Sequence, residues 1–420
     1  MASAGIIQLG GCNLHGRMAI PAPVPRVFWR LWSASMASNL ADGIRSAAFP
    51  LLAAAISRDP LAVAMVAVAQ QLPWLLLGLW GGVVADRVDG RKLIWRVNAV
   101  RTALLVGLLA AILTGATTMV LLLVVAFALG SAEAIVDSAY PSLVVATVGD
   151  DRLEWANARL VAGSVMGNEL VGPAIGSWLF AVGLALPIAV DSGLVAASAM
   201  FILSLPILTG KSPSAPAVGK TRGQIREGVR WLMAHRGLRV VTVAGAVLAL
   251  LDSAWYAVLV LFVLDELNFA EAGFGALLAV AAVGGLAGSV LAGRISRRTS
   301  VGVRLAAAVI VAGMTQFVVG LSSGVVVVGL MLAVSSGAFA VWNVTAATLR
   351  QRVVAIGMLG RVSATYTTAL VGSAAAGAAL GGLLASAAGL RAPMLIGGPI
   401  LMAIGIWLWT ALKRESPLSS

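Results

Sequence analysis

The chain has 420 residues, 60% of them hydrophobic and only 11% charged, with a mean hydropathy of +0.98. A soluble protein carries about 25% charged residues, so this composition leaves too few water-facing groups to cover a globule and requires a largely lipid solvent. A net charge of +12 would point to nucleic acid in a soluble protein, but cytoplasmic loops of membrane proteins also collect Lys and Arg, and the location of the bases decides between the two.

In chain order, residues 1–26 are Pro-rich and lack the short apolar core and small-residue cleavage site of a secretory signal. They are expected to remain as a cytoplasmic N-terminal tail. Its lone Cys12 excludes an intrachain disulfide and argues against a Cys-based metal site. Apolar windows of about 20 residues then predict spans 1 to 6 at 27–53, 60–85, 93–114, 117–145, 156–182 and 185–208. The polar interval 209–237 follows. Its first part, GKSPSAPAVGK, reads as a flexible linker. Its second, TRGQIREGVRWLMAHR, sets Ile225, Val229 and Leu232 at helical spacing among Arg222, Arg226, Arg230 and Arg236. That pattern predicts an amphipathic helix on the inner membrane surface or against the inner ends of the bundle. Spans 7 to 12 are predicted at 238–264, 272–293, 302–322, 325–349, 361–388 and 391–413, before a short cytoplasmic tail, 414–420.

The expected fold is therefore an all-α integral membrane protein of twelve transmembrane helices, in halves covering 27–208 and 238–413. With both termini cytoplasmic in a cell membrane, the tails and even-numbered loops hold 25 of the 29 Lys and Arg. Arg58 and Arg391 fall on the other side, where Asp265, Glu266 and Glu271 also cluster, and Arg45 and Arg101 lie within spans. This asymmetry removes the nucleic-acid reading. Gly210-Lys211-Ser212 and Gly219-Lys220-Thr221 are fragments of a phosphate loop, but Leu205 and Ser214 stand where its first Gly is needed. No ATPase, other enzyme motif, cofactor site or metal cluster is legible.

The halves resemble each other. Arg87 and Arg294 differ by 207 residues, Asp42 and Asp252 by 210, and GPAIGSWL at 172–179 aligns with GAALGGLL at 377–384, an offset of 205. Near-constant offsets predict a duplicated six-helix unit, with a binding site between the repeats near mid-membrane. Gly78/Gly82, Gly284/Gly288 and Gly377/Gly381 are spaced for close helix packing.

Gly82-Val-Val-Ala-Asp86-Arg87-Val-Asp89-Gly90-Arg91-Lys92 fits GxxxDRxxGRK between spans 2 and 3, and on this motif the chain resembles the major facilitator superfamily. Span 5 carries Gly163, Gly167, Gly172, Pro173 and Gly176, similar to the Gly-Pro signature of the superfamily's antiporters. SNLADGIRSAAFPLL (38–52), the Asp137–Pro141 turn, AVDSGLVAASA (189–199) and REGVRWLMAHRGLR (226–239) resemble the branch of enterobactin exporters and macrolide efflux proteins. The resemblance implies that Gly82, Asp86, Arg87, Gly90, Arg91 and Lys92 form a gating latch that holds the halves together while the transporter faces outward. The equivalent loop of the second half has Gly293 at the acid position, which implies an asymmetric gate.

Charges inside spans are costly unless paired or facing water, so they point to mechanism. Asp42 and Arg45, three apart, can pair on one face of span 1; Glu133 and Asp137, four apart, share a face of span 4, and Asp252 lies on span 7. These five are the proton-coupling candidates, with a static ion pair as the plain alternative for the first two and a hydrated polar lining for the carboxylates. Asp191 is expected at the outer gate, and Arg101 paired to an acid inside the bundle. Span 4 lacks the Arg that many proton-driven drug antiporters of the superfamily carry there, which weakens the transfer of their coupling scheme. The superfamily plan places spans 1, 4, 7 and 10 around the cavity, making Asn39, Trp255, Tyr256, Trp342 and Asn343 its candidate lining beside the carboxylates. The expectation is a monomeric secondary transporter that exports a bulky amphipathic small molecule, with protons as the coupling ion and lipid as its surroundings. Uptake of a polar nutrient and a non-transporting sensor or scaffold are the alternatives.

Overall fold

The computed structural model describes residues 26–85, 89–148, 152–206, 221–296 and 298–413, and among them every regular element is helical. The twelve spans are Arg26–Ile56, Pro60–Ala85, Gly90–Leu113, Met119–Val148, 153–182, Leu186–Leu203, Arg236–Glu266, Glu271–Ile295, Val301–Leu321, Val325–Val353, Ile356–Ala388 and Ala392–Lys413. Among the described residues, nine helices are long and apolar enough to cross a membrane on length and composition alone. Spans 1 and 5 dilute their apolar residues with Asn39, Asp42 and Arg45 and with Asn168 and Glu169, and these polar residues build the sites below. Local chemistry sets several ends. Asp89 caps span 3 by accepting from the Arg91 amide at 3.0 Å, and Gly389, at φ 91°, ends span 11 in the left-handed conformation that glycine favours.

The halves repeat one packing plan. Spans 1 and 5, 2 and 4, and 3 and 6 pack together in the first half; spans 7 and 11, 8 and 10, and 9 and 12 do so in the second. A Cβ on Gly176 of span 5 would overlap the Ile44 carbonyl of span 1, and one on Gly381 of span 11 would overlap the Ala254 carbonyl of span 7. Gly176 and Gly381 are 205 apart, and Ile44 and Ala254 are 210 apart. The offsets in the sequence are thus equivalences in space. Spans 2 and 11, and spans 5 and 8, join the halves.

Among the described residues, a shared apolar core joins the halves at one end only. At the end away from both termini, Phe49, Leu52, Leu108 and Leu122 of the first half share one apolar core with Leu259, Phe262, Phe274 and Met394 of the second. At the terminal end the cores are separate: Phe28, Ile94 and Leu143 belong to one, Leu238, Leu305 and Leu412 to another. The linker helix, Thr221–Ala234, settles against the terminal end of span 11, where Arg361 donates to Glu227 at 2.6 Å and Gly228 lies under the Arg361 carbonyl. Of its two expected placements, it takes the one against the bundle.

Candidate functional site

Span 1 supplies the centre of a buried charge cluster. Arg45 donates to Asp42 at 2.7 Å and to Glu133 of span 4 at 3.0 Å, and its other amino nitrogen lies 3.9 Å from Asp191 of span 6. Arg101 of span 3 pairs with the same Asp42 oxygen and also reaches Ser38 and Asn98 at 3.2 and 3.3 Å. A buried guanidinium needs such a set of acceptors, because desolvation costs more than one partner returns. Asp137, one turn along span 4, is exposed to a cavity of about 260 Å³ that Asn39, Asp42, Arg101, Glu133 and Tyr140 also line. Four carboxylates therefore stand around two guanidiniums, an excess of acid able to hold protons or a cation.

Asp191 departs from its expected place at the outer gate. It is fully buried, neither carboxylate oxygen has a hydrogen-bond partner among the described residues, and the cation it faces is Arg45 at 3.9 Å. Arg45 bridges from span 1 to span 6, so distance from a helix end misjudges which neighbour a long side chain reaches. Arg101 meets its expectation of an acid partner inside the bundle.

A second cavity, about 570 Å³, lies between the halves beneath the joint core. Ser46, Asn168, Glu169 and Pro173 line it from the first half; Asp252, Trp255, Tyr256, Phe339 and Asn343 line it from the second. The volume falls in the range of drug-sized ligand sites, about 300–1,000 Å³. Asp252 accepts from the Trp255 indole at 3.1 Å. Of the sequence candidates, Asp252, Trp255, Tyr256 and Asn343 meet here, while Asn39 lies in the smaller cavity and donates to Ser35 at 2.8 Å. Trp342 belongs to neither: it is fully buried in the terminal-end core of the second half and donates to Tyr366 at 3.2 Å. One position along span 10 separates it from Asn343, and a turn of 100° per residue sends the two side chains to different faces.

The span 5 glycines press against span 1. Gly167 and Gly172 are five residues apart where a helical face repeats every three or four, and Val165–Val171 adopts π geometry in which the Gly172 amide bonds to the Gly167 carbonyl. The extra residue is absorbed in that turn, so Gly163, Gly167, Gly172 and Gly176 all stay on the span 1 face. Gly43 receives them, with its Cβ position occupied by the Gly167 carbonyl. Sequence reading missed Gly43; its signal was a small residue between Asp42 and Ile44, opposite a glycine-rich helix. The turn also holds Asn168 and Glu169 at the large cavity.

Of the latch, Gly82 lies in the last turn of span 2, and Asp86 and Arg87 fall outside the described residues. Gly90 begins span 3, and Lys92 is exposed. Arg91 donates to the Ile202 and Leu203 carbonyls, capping span 6 of its own half. At the opposite end, Arg58 pairs with Asp265 of span 7 at 2.8 Å, and Ser386 of span 11 donates to Asp59 at 3.1 Å, so the loop between spans 1 and 2 is tied to the second half. Arg391 meets Glu266 at 3.0 Å. Both bases expected on the far side thus find the acids expected there.

The profile of the transmembrane secretion effector family matches residues 21–416. An uncharacterized MFS-type transporter of Mycobacterium tuberculosis and one of Mycobacterium bovis are each 27% identical over 215 residues, 47% of this chain and 45% of the relative. The match thus spans less than half the length of these curated relatives. Among solved structures, a bacterial homologue of the iron transporter ferroportin in an inward-facing state has a TM-score of 0.75 at 16% identity, covering 92% of this chain and 100% of that one. The nucleoside transporter NupG has a TM-score of 0.74 at 12% identity over 92% and 99%, and a bacterial homologue of the lysosomal transporter Spinster, also inward-facing, 0.69 at 14% over 94% and 98%. At these identities the structures show a shared fold alone. With twelve spans in paired halves among the described residues and a family profile spanning nearly its whole length, the chain belongs to the transmembrane secretion effector family of the major facilitator superfamily.

Proposed function

We propose that this transporter is a secondary exporter of the cell membrane, with both termini cytoplasmic, that expels a bulky amphipathic small molecule by alternating access in exchange for protons. One observation carries the reading: the cavity between the halves is roofed by the joint core at the far end and lies between separate cores at the terminal end. The sequence assigns 25 of the 29 bases to the tails and even-numbered loops on the side of the termini, which supports reading that opening as facing the cytoplasm, where an export substrate loads. The charge cluster beside it supplies the coupling. Asp42 is held by two guanidiniums and Glu133 by one, while Asp137 faces the smaller cavity with no hydrogen-bond partner among the described residues. Asp137 is the entry carboxylate and Glu133 the inner one, and Arg45 links Glu133 to the span on which a proton-driven rearrangement would pivot. The resemblance to siderophore and macrolide exporters supports a natural product or antibiotic as cargo.

Everted vesicles with an inside-acid gradient test this. Macrolides, catechol siderophores and lipophilic cations are added in turn, and proton release is followed with a pH-sensitive dye. Release should depend on one compound and disappear in Glu133→Gln or Asp137→Asn. Undiminished release in both variants removes these carboxylates from coupling; no release from any compound, with no uptake of radiolabelled compound, overturns the export reading.

A further inference from the structure

The duplicated halves treat one acid in two ways. Asp42 and Asp252 occupy equivalent places on spans 1 and 7, as the matching contacts of Gly176 with Ile44 and Gly381 with Ala254 establish. Three residues on, each acid binds a side chain of its own helix. In the first half that side chain is Arg45, and Arg101 adds a second positive charge. In the second half the same position holds Trp255, whose indole donates a neutral hydrogen bond to Asp252 at 3.1 Å. Asp252 therefore occupies its twin's position without the cations that the twin has.

Its surroundings do not make up the difference. Among the described residues no Lys, Arg or His lines the 570 Å³ cavity, and the charged ones that do are Asp252 and, across from it on the π turn of span 5, Glu169. Neither forms an ion pair among the described residues. The remaining wall combines apolar and aromatic side chains with uncharged polar ones such as Ser46, Asn168, Ser335 and Asn343, and sets the Trp255 and Tyr256 rings 6.3 Å apart at 83° beside the acid. Aromatic faces attract cations, and a carboxylate in a low-dielectric wall gains most from an opposite charge that arrives already shielded by apolar groups. An anion would meet two like charges, and a neutral molecule would leave both acids uncompensated.

We infer that the substrate is an amphipathic organic cation, an ammonium or phosphonium carried on a bulky apolar body, whose charge takes at Asp252 the place that Arg45 takes at Asp42. Glu169 contacts the same cation from the other half, so the bound molecule bridges the two halves. The inference rests on the export reading only for the assignment of this cavity to substrate.

Three probes of nearly one shape test it: tetraphenylphosphonium as the cation, tetraphenylborate as the anion, and triphenylphosphine oxide as a neutral relative. Binding of tritiated tetraphenylphosphonium is measured on purified protein in neutral-lipid nanodiscs, for variants that elute as single peaks on gel filtration. Saturable binding is expected in the wild type, weakened about tenfold in Asp252→Asn, the scale of one lost charge contact. Asp252→Glu should retain it, and Glu169→Gln, on the other half, should weaken it independently. Absence of saturable binding, unchanged binding in both neutralised variants, or equal displacement by the borate and the oxide overturns the inference. Flux in everted vesicles separates it from the export reading. Gradient-driven accumulation of the borate or the oxide but not the phosphonium keeps export and overturns the cation. Phosphonium binding that needs Asp252, without flux under any gradient, keeps the cation site and overturns export.

Discussion

Asp42 and Asp137 lie within the same polar cavity yet should answer mutation differently. Asp42 holds two buried guanidiniums, Arg45 at 5% and Arg101 at 0% exposure, and removing one partner of a buried pair costs about 3–5 kcal/mol. Arg45 keeps Glu133, so the lower end of that range is expected for Asp42→Asn. Thermal unfolding in detergent, followed by tryptophan fluorescence, should show a clear loss of stability together with lower membrane abundance. Asp137→Asn, at an exposed and unbonded carboxylate, should unfold with the wild type. Equal behaviour of the two variants would mean the cluster is not the structural keystone of the first half. The sequence made the Asp42–Arg45 pair legible, because spacing within one helix is a distance. Asp191 was misplaced because nothing in the chain measures the gap between spans 1 and 6. Trp342 was misassigned because the plan of a fold names the helices around a cavity but not the face each residue takes.

Helix pairs show how one spacing can give two geometries. Gly167 and Gly172 in span 5 have counterparts 205 residues on, Gly372 and Gly377 in span 11. Five residues of α-helix turn a side chain about 140° off its starting direction. The π turn cancels that rotation in span 5, whereas Ile356–Ala388 runs as one continuous α-helix. Gly372 accordingly faces Leu75 of span 2, with 3.4 Å available to a Cβ, while Gly167 would press its Cβ to 3.1 Å from the Leu40 amide of span 1. Gly167→Ala should therefore destabilise by about 1–3 kcal/mol, since the crowded atom is backbone. Gly372→Ala should be neutral or gain up to about 1 kcal/mol from helix propensity. Melting curves of the two single variants decide it, and equal losses would show that the two glycines are equivalent after all. The glycines were legible as packing residues; the hydrogen-bond register that separates the two helices was not, because no residue type encodes it.

For the molecule as a whole, magnitudes identify what keeps the far end shut. The Arg58–Asp265 bridge is conspicuous, but its side chains are 58% and 41% exposed, and such pairs contribute about 1 kcal/mol or less. The apolar core shared by both halves is the stronger closure. Arg58→Ala should then raise the far-side reactivity of a cysteine at Ser386 (Ser386→Cys, Cys12→Ser) by no more than about fivefold, the population change that 1 kcal/mol permits. A rise of a hundredfold would make the bridge itself the gate. Twelve helices, duplication and the sorting of bases and acids between the two ends were all legible, because lipid length and charge placement act on sequence directly. The facing state was not, since it depends on which cores touch.

Mechanically, spans 5 and 11, which each pack across the joint from opposite halves, are unlike members of one frame. Span 11 is an unbroken beam, and span 5 is a beam with a joint at Val165–Val171. A helix bends where its ladder of hydrogen bonds is already irregular. When the halves tilt, flexure concentrates at that joint, and among the atoms it displaces first are those of Asn168 and Glu169 in the cavity wall. One wall of the binding site is thus mounted on a hinge, so tilting the frame changes the distance between Glu169 and Asp252 of span 7.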